Sequence, residues 1–206
     1  MTEHIPAPTE LLYYTDAYLR EFDSRVVAVD GERDAIALAE TAFFPTGGGQ
    51  PHDTGELRFE GTEARVVDVR KEGAVVWHLV AGAAELHAVG AVVHGLIDSG
   101  RRYLIMRIHT AQHILNGIIW RDYGAHVTGA QITPPEGRLD FELPTMSQEF
   151  ARTVAECVNE VVEQDLPAAP RRGRPRPVAD PAQGEPDSAL GRPVAGDRHR
   201  RPRPPG

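Results

Sequence analysis

Two periodicities divide the chain. Between residues 11 and 94 the apolar positions come in short β-branched runs: Arg25-Val26-Val27-Ala28-Val29, Ala35-Ile36-Ala37-Leu38, Ala64-Arg65-Val66-Val67-Asp68-Val69 and Ala74-Val75-Val76-Trp77-His78-Leu79. Turn signals at Asp30-Gly31, Glu60-Gly61 and Glu72-Gly73 separate them, a pattern that predicts many short strands and a small barrel. From Arg101 the period lengthens. Ile108, Ala111, Leu115 and Ile118 recur at helical spacing and predict a helix over about 103–122, with Gly124 as its stop. A neighbouring stripe of that helix carries His109, His113, Asn116 and Trp120. A second helix is expected over about 147–165, entered through Thr145-Met146-Ser147-Gln148 as a capping box, with Phe150, Val154, Cys157, Val158 and Val161 on its apolar stripe. Between the helices, Gly129-Ala130-Gln131-Ile132 and Arg138-Leu139-Asp140-Phe141-Glu142-Leu143 read as strands joined across Pro134-Pro135-Glu136-Gly137.

After Pro167 neither period survives. Residues 168–206 hold nine prolines and no aromatic residue. So little apolar surface cannot offset the entropy of ordering, and the segment is expected to be disordered. It also lacks Lys, Asn, Ile, Phe, Tyr, Met, Thr, Cys and Trp. Most of these are written by A/T-rich codons, so the vocabulary is that of a GC-rich gene read in a wrong frame. We read the tail as frameshifted rather than evolved; resequencing that finds an intact frame and no continuation in another would contradict this. The expected organisation is an α+β chain with a glycine-motif-containing β-barrel at 1–95, an α+β domain at 96–167 and the tail at 168–206.

Composition narrows the function. With 206 residues and 41% hydrophobic content the chain can build a core, no apolar run is long enough to span a bilayer, and MTEHIPAPTELL lacks the basic and apolar regions of a secretory signal. The one cysteine, Cys157, rules out an internal disulfide. These features lead us to expect a cytoplasmic protein with no membrane partner. The net charge of −8 is uneven: nine arginines face four carboxylates after Ala168, which leaves −13 on residues 1–167. A body so acidic is a poor general nucleic-acid binder, so DNA is not expected as a partner and any RNA contact must be local.

Two segments could carry chemistry. Arg107-Ile108-His109-Thr110-Ala111-Gln112-His113-Ile114-Leu115 offers two imidazoles at i and i+4, a spacing at which a helix can give one Zn²⁺ two ligands. Without context such a pair is more often an ordinary surface or core feature. Nor is it the protease motif His-Glu-x-x-His, because Thr110 follows His109 and cannot act as a general base. Thr41-Ala42-Phe43-Phe44-Pro45-Thr46-Gly47-Gly48-Gly49-Gln50-Pro51-His52-Asp53-Thr54-Gly55 contains three successive glycines, which tolerate φ > 0 and close approach of another chain or ligand. A flexible loop or bulge would look the same, and no Gly-Lys-Ser/Thr follows to make it a phosphate loop.

Taken together, TAFFPTGGGQPHDTG and, about fifty residues on, RIHTAQHIL resemble the alanyl-tRNA editing family, that is, the editing domain of alanyl-tRNA synthetase and its freestanding AlaX-type relatives. The resemblance runs from about Leu11 to Pro167 and includes Tyr103 to Arg121, Ala125-His126-Val127-Thr128-Gly129 and Arg138-Leu139-Asp140-Phe141. With the glycine segment ahead of the histidine helix, the chain looks like the medium-length freestanding type. The resemblance implies a translation-protein-type barrel followed by an editing-like α+β domain. It also implies a hydrolase that cleaves, in trans, the ester joining serine or glycine to the acceptor end of tRNA(Ala).

The same resemblance implies residue roles. His109 and His113 would be two of four Zn²⁺ ligands, and bound zinc could activate a water or orient the aminoacyl group. Gln50 would line the editing pocket, brought close by Gly47, Gly48 and Gly49. Thr128 matches a pocket threonine able to hydrogen-bond the serine side chain, and Asp140 is a further catalytic candidate, equally readable as a surface carboxylate. His52, His78, His87, His94 and His126 are read as structural or exposed. The family's other two ligands come from a Cys-x-x-x-His segment that this chain lacks: Val158-Asn159-Glu160-Val161 follow Cys157, and His199 stands alone in the tail. The zinc site is therefore expected to be incomplete and activity impaired. The alternatives are a non-catalytic module that binds the tRNA acceptor end, or an inactive truncated product.

Overall fold

In the computed structural model, which describes residues 7–81 and 88–167, the strands are β1 (Glu10–Leu11), β2 (Glu21–Asp30), β3 (Ala35–Leu38), β4 (Glu40–Thr41), β5 (Gly55–Phe59), β6 (Thr62–Glu72), β7 (Val75–Ala81) and β8 (Val92–Ile97), then β9 (Val127–Thr133) and β10 (Glu136–Phe141). Helix α1 (Ser99–Tyr123) precedes β9 and α2 (Gln148–Glu163) follows β10. Strands β2-β3-β7-β6-β5-β8 close into an antiparallel barrel, which leaves no edge for pairing with another chain. The main core is made by Phe22, Val26, Ile36, Leu38, Leu57, Val66, Val69, Val76 and Val93 of its strands, with Phe43 from the segment after β4.

A histidine is sealed in that core. His78 is 0% exposed; its Nδ1 lies 3.3 Å from the Ile36 carbonyl and its Nε2 2.8 Å from Thr41 Oγ1, which in turn accepts from the Phe43 amide at 3.1 Å. Each polar atom has a partner that suits a neutral ring. Burial accordingly pushes the His78 pKa down to about 4.

The second half of the fold is thinner. β9 and β10 form a two-stranded antiparallel hairpin packed on α1, which also packs against α2. Its core cluster is small: Ile119, Ala125 and Val154 are buried in it, with Leu115, Phe141, Leu143, Phe150 and Val158 partly covered, while Ile118 and Ile132 are buried outside that cluster. A cleft of about 560 Å³ runs between α1, β10 and α2, walled by Ile108, Leu115, Leu139, Phe141, Phe150 and Val154 among others. Both parts belong to one compact unit, Met1–Leu166.

Several expectations need correction. Helix α1 starts at Ser99, four residues before the apolar stripe suggested, because Asp98 caps it by accepting from the Arg101 amide at 3.0 Å. It ends at Gly124, in the left-handed conformation with φ 65°, as expected. The cap of α2 is Ser147, whose hydroxyl accepts from the Phe150 amide at 3.1 Å; the box starting at Thr145 does not form, since Gln148 is already the first helical residue. The β9–β10 turn is Pro134-Pro135 alone, because Glu136 pairs with Thr133 and Gly137 with Ile132. His94 is half-exposed and lies 2.8 Å from Asp23, His52 is half-buried, and His126 is exposed beside Trp120. His87, His199 and the tail at 168–206 lie outside the described residues. Among the described residues no helix is long and apolar enough to cross a membrane.

Candidate functional site

The three glycines form a tight turn. Gly47 and Gln50 exchange backbone hydrogen bonds of 3.0 Å, and Gly48 and Gly49 between them have φ of 59° and 80°, the positive pair that a type I′ turn requires. The turn docks on β9: the Ile132 amide donates to the Gly49 carbonyl at 2.8 Å. A Cβ on Gly49 would stand 2.5 Å from the Ala130 carbonyl oxygen. Gly49→Ala therefore combines a left-handed backbone with a backbone clash, and urea denaturation is expected to show a loss of about 2 kcal/mol or more. Gly47→Ala meets nothing within 4 Å and should be close to neutral.

Gln50, at the end of the turn, is 8% exposed and reaches α1. Its Oε1 lies 2.8 Å from Nδ1 of His109. With the amide oxygen accepting, Nδ1 carries the proton and Nε2 is left with its lone pair outward. The Nε2 of His113 lies 3.1 Å from it, with the two rings stacked at a centroid distance of 4.8 Å. The i, i+4 spacing produces this meeting, because residues four apart share a helix face. Burial, and secondly the neighbouring His113, hold the His109 pKa below the usual histidine range, so the ring is neutral near pH 7.

The pair's geometry suits zinc in part. Two imidazole nitrogens on adjacent corners of a tetrahedral site, each about 2.0–2.1 Å from the metal, stand roughly 3.3 Å apart. The observed 3.1 Å separation matches, and a carboxamide fixing the tautomer of a ligand histidine is the kind of outer support such sites use. The match stops at two corners. Among the described residues no group of three His, Cys, Asp or Glu side chains could hold a metal, and Cys157 sits half-buried on α2. These residues do not make a closed zinc site.

The other expected site residues fall nearby without touching the pair. Thr128 is exposed on β9. Asp140 pairs with Gly129 and Phe141 with Val127, so Thr128 is the extra residue of a β-bulge, a device that re-aims a side chain. Asp140 is half-buried and accepts from Arg138 Nε at 2.9 Å; its Oδ2 lies where a Cβ on Gly129 would come within 2.7 Å. No hydrogen bond joins Thr128 or Asp140 to the histidines among the described residues.

Two groups of residues escaped the sequence reading. Gln112 Nε2 donates to the carbonyls of Gln131 at 3.0 Å and Arg138 at 3.1 Å, tying α1 to both strands of the hairpin one residue before His113. Arg102, 6% exposed in the first turn of α1, grips Asp53, 1% exposed, through Nε at 2.8 and 2.9 Å and through a further contact from its terminal nitrogen. It also donates to the carbonyls of Ala17 at 3.0 Å and Ala42 at 2.6 Å. The carboxylate accepts from the Phe44 amide at 2.6 Å, so one buried ion pair fixes the segment carrying Gln50 to the helix carrying His109. The available signal was an arginine at a position that helical spacing aligns with Ile105 and His109.

Comparison with known proteins identifies the family. Residues 2–101 match the family model for tRNA synthetases class II (A). The alanine–tRNA ligase of Pyrobaculum neutrophilum is 45% identical over 165 residues, 77% of this chain and 18% of the ligase. That of Pyrococcus furiosus is 40% identical over 183 residues, 85% of this chain and 19% of the ligase. That of Korarchaeum cryptofilum is 43% identical over 164 residues, 78% of this chain and 18% of the ligase. The chain thus spans less than a fifth of these relatives' length, and over that span it is related to alanyl-tRNA synthetases.

Proposed function

We propose that the chain descends from a trans-editing hydrolase that removes serine or glycine from mischarged tRNA(Ala), and that its activity is impaired as the sequence stands. The observation that carries this reading is the convergence of His109 Nε2 and His113 Nε2 at 3.1 Å, with Gln50 setting the His109 tautomer. Such an arrangement has no evident use in packing, since His113 is exposed. Relatedness to alanine–tRNA ligases supplies the tRNA. In this reading the glycine turn and Gln112 hold α1 against β9, Gln50 orients His109, and the Thr128 hydroxyl accepts or donates a hydrogen bond to the serine side chain. That hydrogen bond would favour serine over alanine where the bound ester covers Thr128, which is exposed in the free chain; it gives no preference for glycine. Bound zinc would supply an activated water or a fixed ester carbonyl; the chain's own contribution is two nitrogens and their orientation.

A second reading is favoured by one observation: no third ligand joins the pair among the described residues. The chain would then bind the acceptor end without cleaving it. The experiment is deacylation of Ser-tRNA(Ala) and Gly-tRNA(Ala) by the chain, by His109→Ala/His113→Ala, and with added zinc. Hydrolysis above background that the double substitution abolishes supports the editing reading. Binding that survives the substitution with no hydrolysis in any sample supports the module.

A further inference from the structure

We propose that the recess between the first turns of α1 and the segment entering β2 takes a base of single-stranded RNA, stacked on Tyr18 and Tyr103. The proposal rests on the tRNA reading above and adds where the strand next to the ester is held. The recess measures about 190 Å³ and has an apolar floor of Leu19, Ile97 and Met106. Tyr18 and Tyr103 line it with 67% and 53% of their surface exposed. Only 6% of the chain is aromatic, so two large rings left in water around one hollow are conspicuous. A base is the ligand this chemistry suits: its faces are apolar and flat, its edges are polar, and stacking on tyrosine does not depend on which base is offered.

The charges point the same way. Arg33, Arg58, Arg70, Arg102, Arg121 and Arg138 are all paired with carboxylates. Arg20, which lines the recess, and Arg107, whose guanidinium lies 5.9 Å from the Tyr103 ring centre, make no such pair among the described residues, a property they share with Arg25, Arg65, Lys71, Arg101 and Arg152 elsewhere in the chain. Two unneutralised cations therefore flank the tyrosines on a body that is otherwise strongly acidic. With few phosphate contacts on offer, stacking must supply most of the affinity.

Position links the recess to the histidines. Tyr103 and Met106 precede His109 by six and three residues on one helix, so they lie roughly 9 and 4.5 Å before it along the axis. A strand whose 3′-terminal ester reached His109 and His113, and which ran from there toward the first turn of α1, would pass its preceding nucleotides over this hollow, about a third of a turn round the helix.

The test uses the full chain and a fluorescein-labelled acceptor-stem minihelix, with and without its single-stranded 3′ overhang, read by anisotropy. Tyr18→Ala/Tyr103→Ala is expected to weaken binding of the overhang minihelix at least tenfold without changing the melting curve. Tyr18→Phe/Tyr103→Phe keeps both rings and should bind as the wild type does, and the blunt minihelix should bind the wild type no better than the alanine variant binds the overhang. Wild-type affinity in the alanine variant, or equal binding of blunt and overhang RNA, overturns the proposal and leaves the tRNA reading standing. No binding of either RNA by the wild type overturns both.

Discussion

Arg102→Leu is expected to destabilise the chain by about 3–5 kcal/mol, measured by urea denaturation, because it strands the Asp53 carboxylate in a site only 1% exposed. The arginine makes five hydrogen bonds, three to Asp53 and one each to the Ala17 and Ala42 carbonyls. Leucine offers none of them. Asp53 still accepts from the Phe44 amide, which cannot neutralise a buried charge. Removing both charges in Arg102→Leu/Asp53→Leu should recover a substantial part of the loss, since the uncompensated carboxylate is then gone. A single-variant loss below about 1 kcal/mol would show that water reaches this pair and that it does not anchor the barrel to α1. Asp53 lies three residues after Gln50, so the same variant should also loosen the Gln50–His109 contact.

Acid is expected to weaken the fold through His78. Its folded pKa of about 4 lies below the ordinary value of 6.5, so at intermediate pH the unfolded chain binds a proton that the folded chain refuses. Stability is thus complete above about pH 6.5 and falls by about 1.4 kcal/mol per unit toward pH 4, some 3 kcal/mol in total. Below pH 4 the folded ring also charges and this contribution levels off. His78→Gln removes the titrating group while retaining polar atoms for Thr41 and Ile36. The difference in unfolding free energy between wild type and variant, followed from pH 7 to pH 4, should shrink by that amount. A constant difference would mean the ring is not sealed from water.

How much of this was legible in the sequence differs by element, for physical reasons. Ala35–Leu38 is legible with its true limits because a buried strand is apolar at each position and the turn at 31–34 marks its start. β5 and β8 were not singled out: Gly55, Glu56 and Arg58 dilute the first, and His94 and Gly95 the second, so neither shows a clean alternation. The first turn of α1 was hidden because its inward residue is Arg102, whose burial depends on a carboxylate 49 positions away. In the site, His109 and His113 could be found because their relation is local, four residues on one helix. That Gln50 fixes the His109 tautomer, and that Gly49 seats against Ala130, depends on contacts across 59 positions and between elements that no spacing encodes. The thin second core adds a physical counterpart to the odd composition after Pro167. The apolar walls of the α1–β10–α2 cleft stand partly open, and the arginine- and proline-rich segment that follows carries few residues able to fill it.

The proposed function makes His109 and His113 half of a zinc site in an editing hydrolase, with the other half lost to the reading frame after Pro167. The most direct measurement is bound zinc together with Ser-tRNA(Ala) deacylation, made on the chain as it stands and on a version carrying the continuation from the alternative frame after Pro167. Tight stoichiometric zinc and rapid deacylation are expected only in the restored version, with both abolished there by His109→Ala/His113→Ala. Equal zinc content and equal deacylation in the two versions would contradict it.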